Sequence, residues 1–372
     1  MASPLYTLEL GGRSVSALVL SLTVAHPATA AYVATNLASD LDMGPGVFQD
    51  PDMQNPWGLT VRGTSPFWIA NNGTGLATLY NTSTGAAVKQ GLVVTIPGQT
   101  LGDIVPITGT VGNLSSSFNG DVFLFAAENG GIYGWRPALG TTAETLLPPI
   151  SSSVYKGLAI NGSTLYAANF RSGTIDVFAA GFGSPLHLED PNLPAGFGPF
   201  GMQLLNGKIY VTFAMQDADK HDDDPGMHRG FVDVLDPATN MLSRLISRGA
   251  LDSPWGLAIA PSNFGELSGD LLVGNFGDGL INAFDATTGA FRGTMDDASG
   301  NPIQIDGLWA LMFGNGAAAG PMNRLFFTAG IEGEDHGLFG VIDPVPAPGS
   351  LALLAVGLFG LTASRRRRSR PR

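Results

Sequence analysis

One pattern recurs six times along this 372-residue chain, and a recurring unit constrains a fold more than any other feature. The pattern opens on an aromatic residue, a glycine and a leucine or methionine, with departures in the second, third and sixth copies. A strand-like run ending in a small residue and often asparagine follows, then a glycine turn and a second run. The first copy is Pro56-Trp57-Gly58-Leu59, Phe67–Asn71 and Leu79-Tyr80-Asn81. The fifth repeats it closely as Pro254-Trp255-Gly256-Leu257, Leu271–Asn275 and residues 281–285. The third, fourth and sixth open at Tyr155-Lys156-Gly157-Leu158, Pro199-Phe200-Gly201-Met202 and Asp306-Gly307-Leu308-Trp309. The second is degenerate at 106–109 but clear at 122–127. The marker glycines 58, 109, 157, 201, 256 and 307 stand 44 to 55 residues apart. Short strands and glycine turns at that period are propeller blades of about four strands each, packed face to face because none can bury both faces alone. The expectation is an all-β, six-bladed β-propeller over residues 31–344, with seven blades as the alternative. The marker glycine should sit where the innermost strands crowd the axis, and the aromatic before it should fill the gap between blades. Residues 32–37 precede the first copy and should supply the outer strand of the sixth blade, leaving no open edge.

Composition agrees and excludes several chemistries. Glycine makes up 51 of 372 residues, about twice the usual share, and charged residues only 13%. Cysteine is absent, so disulfides, cysteine-ligated metals and a thiol nucleophile are ruled out. Residues 31–344 hold 12 Lys and Arg against 30 Asp and Glu, a net charge of −18. That excludes a nucleic-acid binder, and the surface attracts cations instead. No nucleophile elbow, phosphate loop or dinucleotide fingerprint occurs.

The two ends read as targeting segments. The ten-residue apolar run 15–24 follows Arg13 and is too short, at about 15 Å as a helix, to span a membrane. With Ala28 and Ala30 in a small-x-small pattern it is expected to be a signal peptide, residues 1–30, cleaved after Ala30 by signal peptidase. The alternative is a buried first strand or helix. At the other end Val345-Pro346-Ala347-Pro348 leads into an apolar run and then Arg365, Arg366, Arg367 and Arg368. This segment, 345–372, resembles the PEP-CTERM sorting tail of Gram-negative bacteria, with Ala347 where that family has glutamate. The resemblance implies a short C-terminal transmembrane sorting helix, transient membrane anchoring and cleavage by an exosortase. The precursor would be held in the inner membrane and delivered to the cell surface or extracellular matrix. A plain anchor is the alternative. The repeats resemble NHL- and YVTN-type propellers, and the whole chain resembles an uncharacterised family of exported PEP-CTERM propellers. That resemblance implies fold and address, and no activity.

Two groups of residues are candidates for chemistry. Alignment of the repeats puts Asn71, Glu128, Asn169 and Asn275 at one position, the turn after the second strand of four blades. An axial ring of amide and carboxylate oxygens suits Ca2+, which takes six to eight oxygen ligands. Asparagine before a glycine turn also serves simply to cap the strand. The fourth copy carries an insertion, 216–229, with Asp217, Asp219, His221, Asp222, Asp223 and Asp224. So dense a charge must be offset by protons, Lys220, Arg229, solvent or a metal such as calcium. The sixth-copy turn Glu332-Gly333-Glu334-Asp335-His336 should add acid to the same face. Trp57, Trp255 and Trp309 suit core packing or stacking on a sugar. The functional expectation is an exported, non-catalytic binding or scaffold module for extracellular polysaccharide or surface proteins. The rival is a calcium-dependent hydrolase of lactonase or esterase type with its ion on the axis.

Overall fold

The computed structural model describes residues 31–100 and 102–345. Over these the chain forms six sheets arranged as a six-bladed propeller, antiparallel except where Phe48–Gln49 adds to the edge of the sixth parallel to Ala31–Ser39. Blade 1 comprises Pro56–Thr60, Phe67–Asn71, Leu76–Asn81 and Val88–Thr95 from the axis outward. Blade 3 comprises Tyr155–Asn161, Thr164–Asn169, Thr174–Ala179 and Leu186–Leu188. Blade 4 comprises Phe197–Leu205, Lys208–Met215, Gly230–Asp236 and Met241–Ser247. Blades 2 and 5 follow the same order, starting at Ile107–Gly112 and Pro254–Ile259. Inner strands are buried almost throughout, while outermost strands such as Val88–Thr95 alternate toward solvent.

The sixth blade is built from both ends of the chain. Leu308–Phe313, Leu325–Ile331 and His336–Val345 are completed by the N-terminal strand Ala31–Ser39. The pairing runs antiparallel from Ala31 opposite Val345 to Ser39 opposite Leu338. Tyr32 reaches beyond its own blade, donating its hydroxyl to the Phe264 carbonyl at 2.8 Å. Ring closure therefore needs the first nine described residues, as the sequence pattern leads one to expect. The signal-peptide and cleavage residues, including Ala28 and Ala30, lie outside the described residues. So does the tail, including Pro346, Ala347, Pro348 and Arg365–368. Among the described residues no helix is long and apolar enough to cross a membrane.

The inner strands meet through the marker glycines. A Cβ on Gly109 would stand 2.6 Å from the Lys156 carbonyl oxygen. One on Gly157 would stand 2.7 Å from that of Phe200, and one on Gly256 would stand 2.7 Å from that of Trp309. Each glycine thus abuts the backbone of the next blade. In blade 6 the register differs from the sequence reading. Leu308 pairs with Ala329 as Pro56 pairs with Asn71, so the marker position is Ala310 rather than Gly307. Gly307 instead turns the chain into the blade, with φ of 58°. The aromatic residues also sit elsewhere than expected. The pairing of every inner strand is interrupted by a bulge at the residue before the marker, between Pro56 and Gly58 in blade 1 and at the equivalent place in the other five, and a bulge re-aims the side chain it carries. Trp57, Phe200, Trp255 and Trp309 therefore meet over the axis instead of filling the gaps between blades.

Gly201→Ala puts its Cβ into the Trp255 backbone and should lower unfolding free energy by about 1–3 kcal/mol. Gly181→Ala meets nothing within 4 Å and should stay within about 0.5 kcal/mol of the parent. Urea denaturation of the two variants checks the difference.

Candidate functional site

The axis is filled at one end by an aromatic plug. Trp57 stacks on Trp309 at 3.7 Å between centroids, and Phe276 stacks on the same ring at 4.1 Å. Phe200 and Trp255 stand edge-on to each other at 5.0 Å. Trp57 of blade 1 reaches Phe200 of the opposite blade 4 at 6.4 Å, so nothing open remains between them. All four plug side chains are buried. Below the plug the glycine-lined axis keeps a cavity of about 30 Å³, and a mostly apolar hollow of about 490 Å³ opens at the far end beside Leu158, Leu204 and Met312.

Lys156 stands at the inward position in blade 3, where blades 1, 4, 5 and 6 carry Trp57, Phe200, Trp255 and Trp309. Its side chain is fully buried. The ammonium lies 4.6 Å from the centre of the Trp57 ring and donates to Glu128 at 2.5 Å and Asp222 at 3.0 Å. Burial alone would lower its pKa, but the Glu128 and Asp222 carboxylates outweigh that and raise it. It is a permanent cation in the mouth of the propeller. Glu128 also accepts from Asn72 at 3.1 Å. Glu334, from the sixth-blade turn, accepts from Asn55 at 2.7 Å, and Asn55 in turn accepts from the Trp309 indole at 3.0 Å. Burial raises the Glu334 pKa, and the charges of Glu128 and Asp222 add to that rise.

The insertion 216–229 folds over this mouth. Met215, Gln216 and Asp217 pair back against Asp222, Asp223 and Asp224, with Asp217 N–H donating to the Asp222 carbonyl at 2.8 Å. Asp217 Oδ1 accepts from the His221 N–H at 2.8 Å, which caps the turn. Asp224 pairs with Arg229 at 2.5 Å, and Gly226 N–H donates to Asp252 at 2.7 Å. Asp219 is exposed. Asp222 is held below its usual range: burial would raise it, but Lys156 and His221 prevail. Asp223 goes the other way, pushed up to about 7 by burial, and its Oδ2 is cut off from solvent with no hydrogen-bond partner.

The remaining candidates separate into two sets. Asn71, Asn169 and Asn275 are engaged within their own blades. Asn71 donates to the Leu76 carbonyl and Thr78 hydroxyl, both at 2.9 Å. Asn169 donates to Ser153 and Asp176 at 3.0 Å, and Asn275 to the Ala250 carbonyl at 2.8 Å. Their turns are stapled by these amides. Glu128 is one residue out of step with them: Ala127 pairs with Ile107 as Asn71 pairs with Pro56. Glu128 lies past the strand end, in the turn itself, and its carboxylate reaches the axial mouth at Lys156 and Asn72, whereas the asparagines bond within their own blades. What does come together is Glu128, His221 and Asp222, each with one ligand atom within 4.8 Å of the others. Beside them lies a hollow of about 670 Å³ lined by Ser153, Arg171 and His221 among others.

A propeller closed by its own N-terminal strand and ending in a sorting signal is the class this chain defines. The PEP-CTERM protein-sorting motif matches residues 344–368, which marks an exported, surface-directed protein processed by an exosortase. The chain belongs to the family that includes the uncharacterized protein R648 of Acanthamoeba polyphaga mimivirus, with 31% identity over 79% of this chain and 76% of that one. A second mimivirus protein, uncharacterized protein L690, is 29% identical over 78% of this chain and 80% of its own length. Among solved structures, streptogramin B lyase superposes with a TM-score of 0.53 at 12% identity, covering 85% of this chain and 98% of that one. That likeness concerns the fold alone.

Asp223 carries a proton in the folded protein up to about pH 7 but only up to about 3.8 when unfolded. Its contribution is therefore complete at acid pH and lost as pH rises through that window. Asp233, pushed up to about 6 by burial, acts in the same sense. The melting temperature should fall between about pH 4 and pH 7 and level off above that, and Asp223→Asn should flatten the fall. Calorimetric melting across that range is the check.

Proposed function

We propose that this protein is an exported binding and scaffold module without catalysis of its own, using the charged mouth as its contact face. Its partner would be extracellular polysaccharide or another surface protein. Delivery would use signal peptidase, then an inner-membrane-anchored precursor, then exosortase release to the surface or matrix of a Gram-negative cell. The aromatic plug carries the reading. A metal-dependent hydrolase needs an ion with an open coordination position. Here the axis holds four buried rings, and the cation against Glu128 is Lys156. A rigid ring with one long, well-tied loop suits recognition instead. Calcium enters as a modulator at the insertion, where Asp217, Asp219, His221, Asp222, Asp223 and Asp224 set the field that draws it.

The calcium-dependent hydrolase remains the second reading, favoured by one observation. Asn71 and Asn275 each keep a buried Oδ1 without a partner. Asn169 Oδ1, in the same position, accepts from the Val154 and Ser172 N–H groups at 3.4 Å, so in that blade backbone donors reach the oxygen without an ion.

The test offers the full-length protein a panel of lactones and aryl esters with and without calcium, and separately surface polysaccharide from the producing cell. The expectation is no turnover in either condition. Polysaccharide binding is expected, weakened about tenfold by Glu334→Gln, equivalent to ~1.4 kcal/mol. Calcium-dependent turnover lost in Asn169→Ala would favour the hydrolase.

A further inference from the structure

We propose that Lys156 is a tethered cation standing in the place of a divalent ion: the mouth is a latent calcium site from which the chain's own ammonium excludes the metal. This rests on the reading of the mouth as a cation-binding face.

Three observations converge. The ligand atoms of Glu128, His221 and Asp222 lie within 4.8 Å of one another, the span that two metal–oxygen bonds of about 2.4 Å cover. Lys156 already occupies that set, bonded to Glu128 and Asp222. In the same loop the Asp223 Oδ2 is shut off from solvent and unpartnered. Two carboxylates thus share a single ammonium, and the residue after Asp222 keeps a carboxyl oxygen without a partner.

The lysine is not demanded by the plug. Four of the other five inward positions carry aromatic rings and the fifth carries Thr108. An apolar side chain would complete the ring around the axis as well. What the ammonium supplies is charge. An ammonium has three donors and satisfies two carboxylates, whereas calcium takes six to eight oxygens. The two cannot share the mouth, because two cations a few ångströms apart in a partly buried site repel strongly. Calcium can bind there only if the ammonium leaves Glu128 and Asp222. That step also undoes the tie between blade 3 and the insertion, so metal occupancy and loop clasping are alternatives.

The test is calcium titration calorimetry on EDTA-treated full-length protein, comparing the parent with Lys156→Met, which keeps the apolar stem over Trp57. The variant should bind one calcium at least tenfold more tightly than the parent. Adding Asp222→Asn to it should remove the gain. Equal affinity in parent and variant, or a gain that survives Asp222→Asn, would overturn the proposal. If Lys156→Met does not fold without metal, refolding yield decides: recovery in calcium and not in EDTA supports the tethered cation, and equal yields or no recovery count against it. Tight calcium binding by the parent would sink this proposal while leaving the calcium modulator in place. No binding by any variant would sink both of these and leave the binding-module reading to its polysaccharide assay.

Discussion

The inner strands of neighbouring blades meet backbone to backbone, the marker glycine of one against the carbonyl of the next. Gly109, Gly157, Gly201 and Gly256 have no room for a Cβ, so the collar around the axis is set by five glycines and Ala310. A collar this tight turns every inward side chain toward the same small volume. Four aromatic rings fill it and exclude water. The plug is a consequence of the glycines, and the polar mouth is a consequence of the plug, because whatever stands beside it must face a desolvated floor.

Lys156 is the one inward residue that carries charge into that setting. Its stem packs against aromatic surface, while its ammonium draws Glu128 from blade 2 and Asp222 from the insertion of blade 4. The acid of the insertion, which in isolation reads as solvated surface, is thereby tied to the axis. Further along the loop Arg229 and Asp252 fix its other limb. The face that results is preorganised, and it keeps more carboxylate than its own cation neutralises. Those are the properties of a recognition surface for cationic or cation-bridged partners.

Much of this was legible in the residues. The six repeats, the strand that closes the sixth blade and the shared face of the two acidic turns follow from periodicity and spacing. The differences lie in register and in bulges, which spacing alone does not report. Alignment by the nearest glycine puts the sixth marker at Gly307, three residues before the structural equivalent Ala310. It also sets Glu128 level with the asparagines, although Glu128 lies one residue further on, in the turn. The inward aromatics were assigned to the gaps between blades because their direction depends on the neighbour's backbone. Lys156 went unremarked as a functional residue, although the signal was present. One of only four lysines in the chain occupies the place of a tryptophan in the third copy. A strongly hydrated side chain at an aromatic position requires partners, and the acidic insertion was the available source.

The most direct measurement is lysine acylation of the native protein, read residue by residue by mass spectrometry. Lys220, at the surface, should react at a rate near that of free amines, Lys208 more slowly through its ion pair with Asp236, and Lys89 more slowly through its ion pairs with Asp50 and Asp52. Lys156 should stay unmodified until the protein unfolds. Acylation of Lys156 in the folded state at a rate approaching that of Lys220 would contradict a buried ammonium at the axial mouth, and with it the organisation of the site described above.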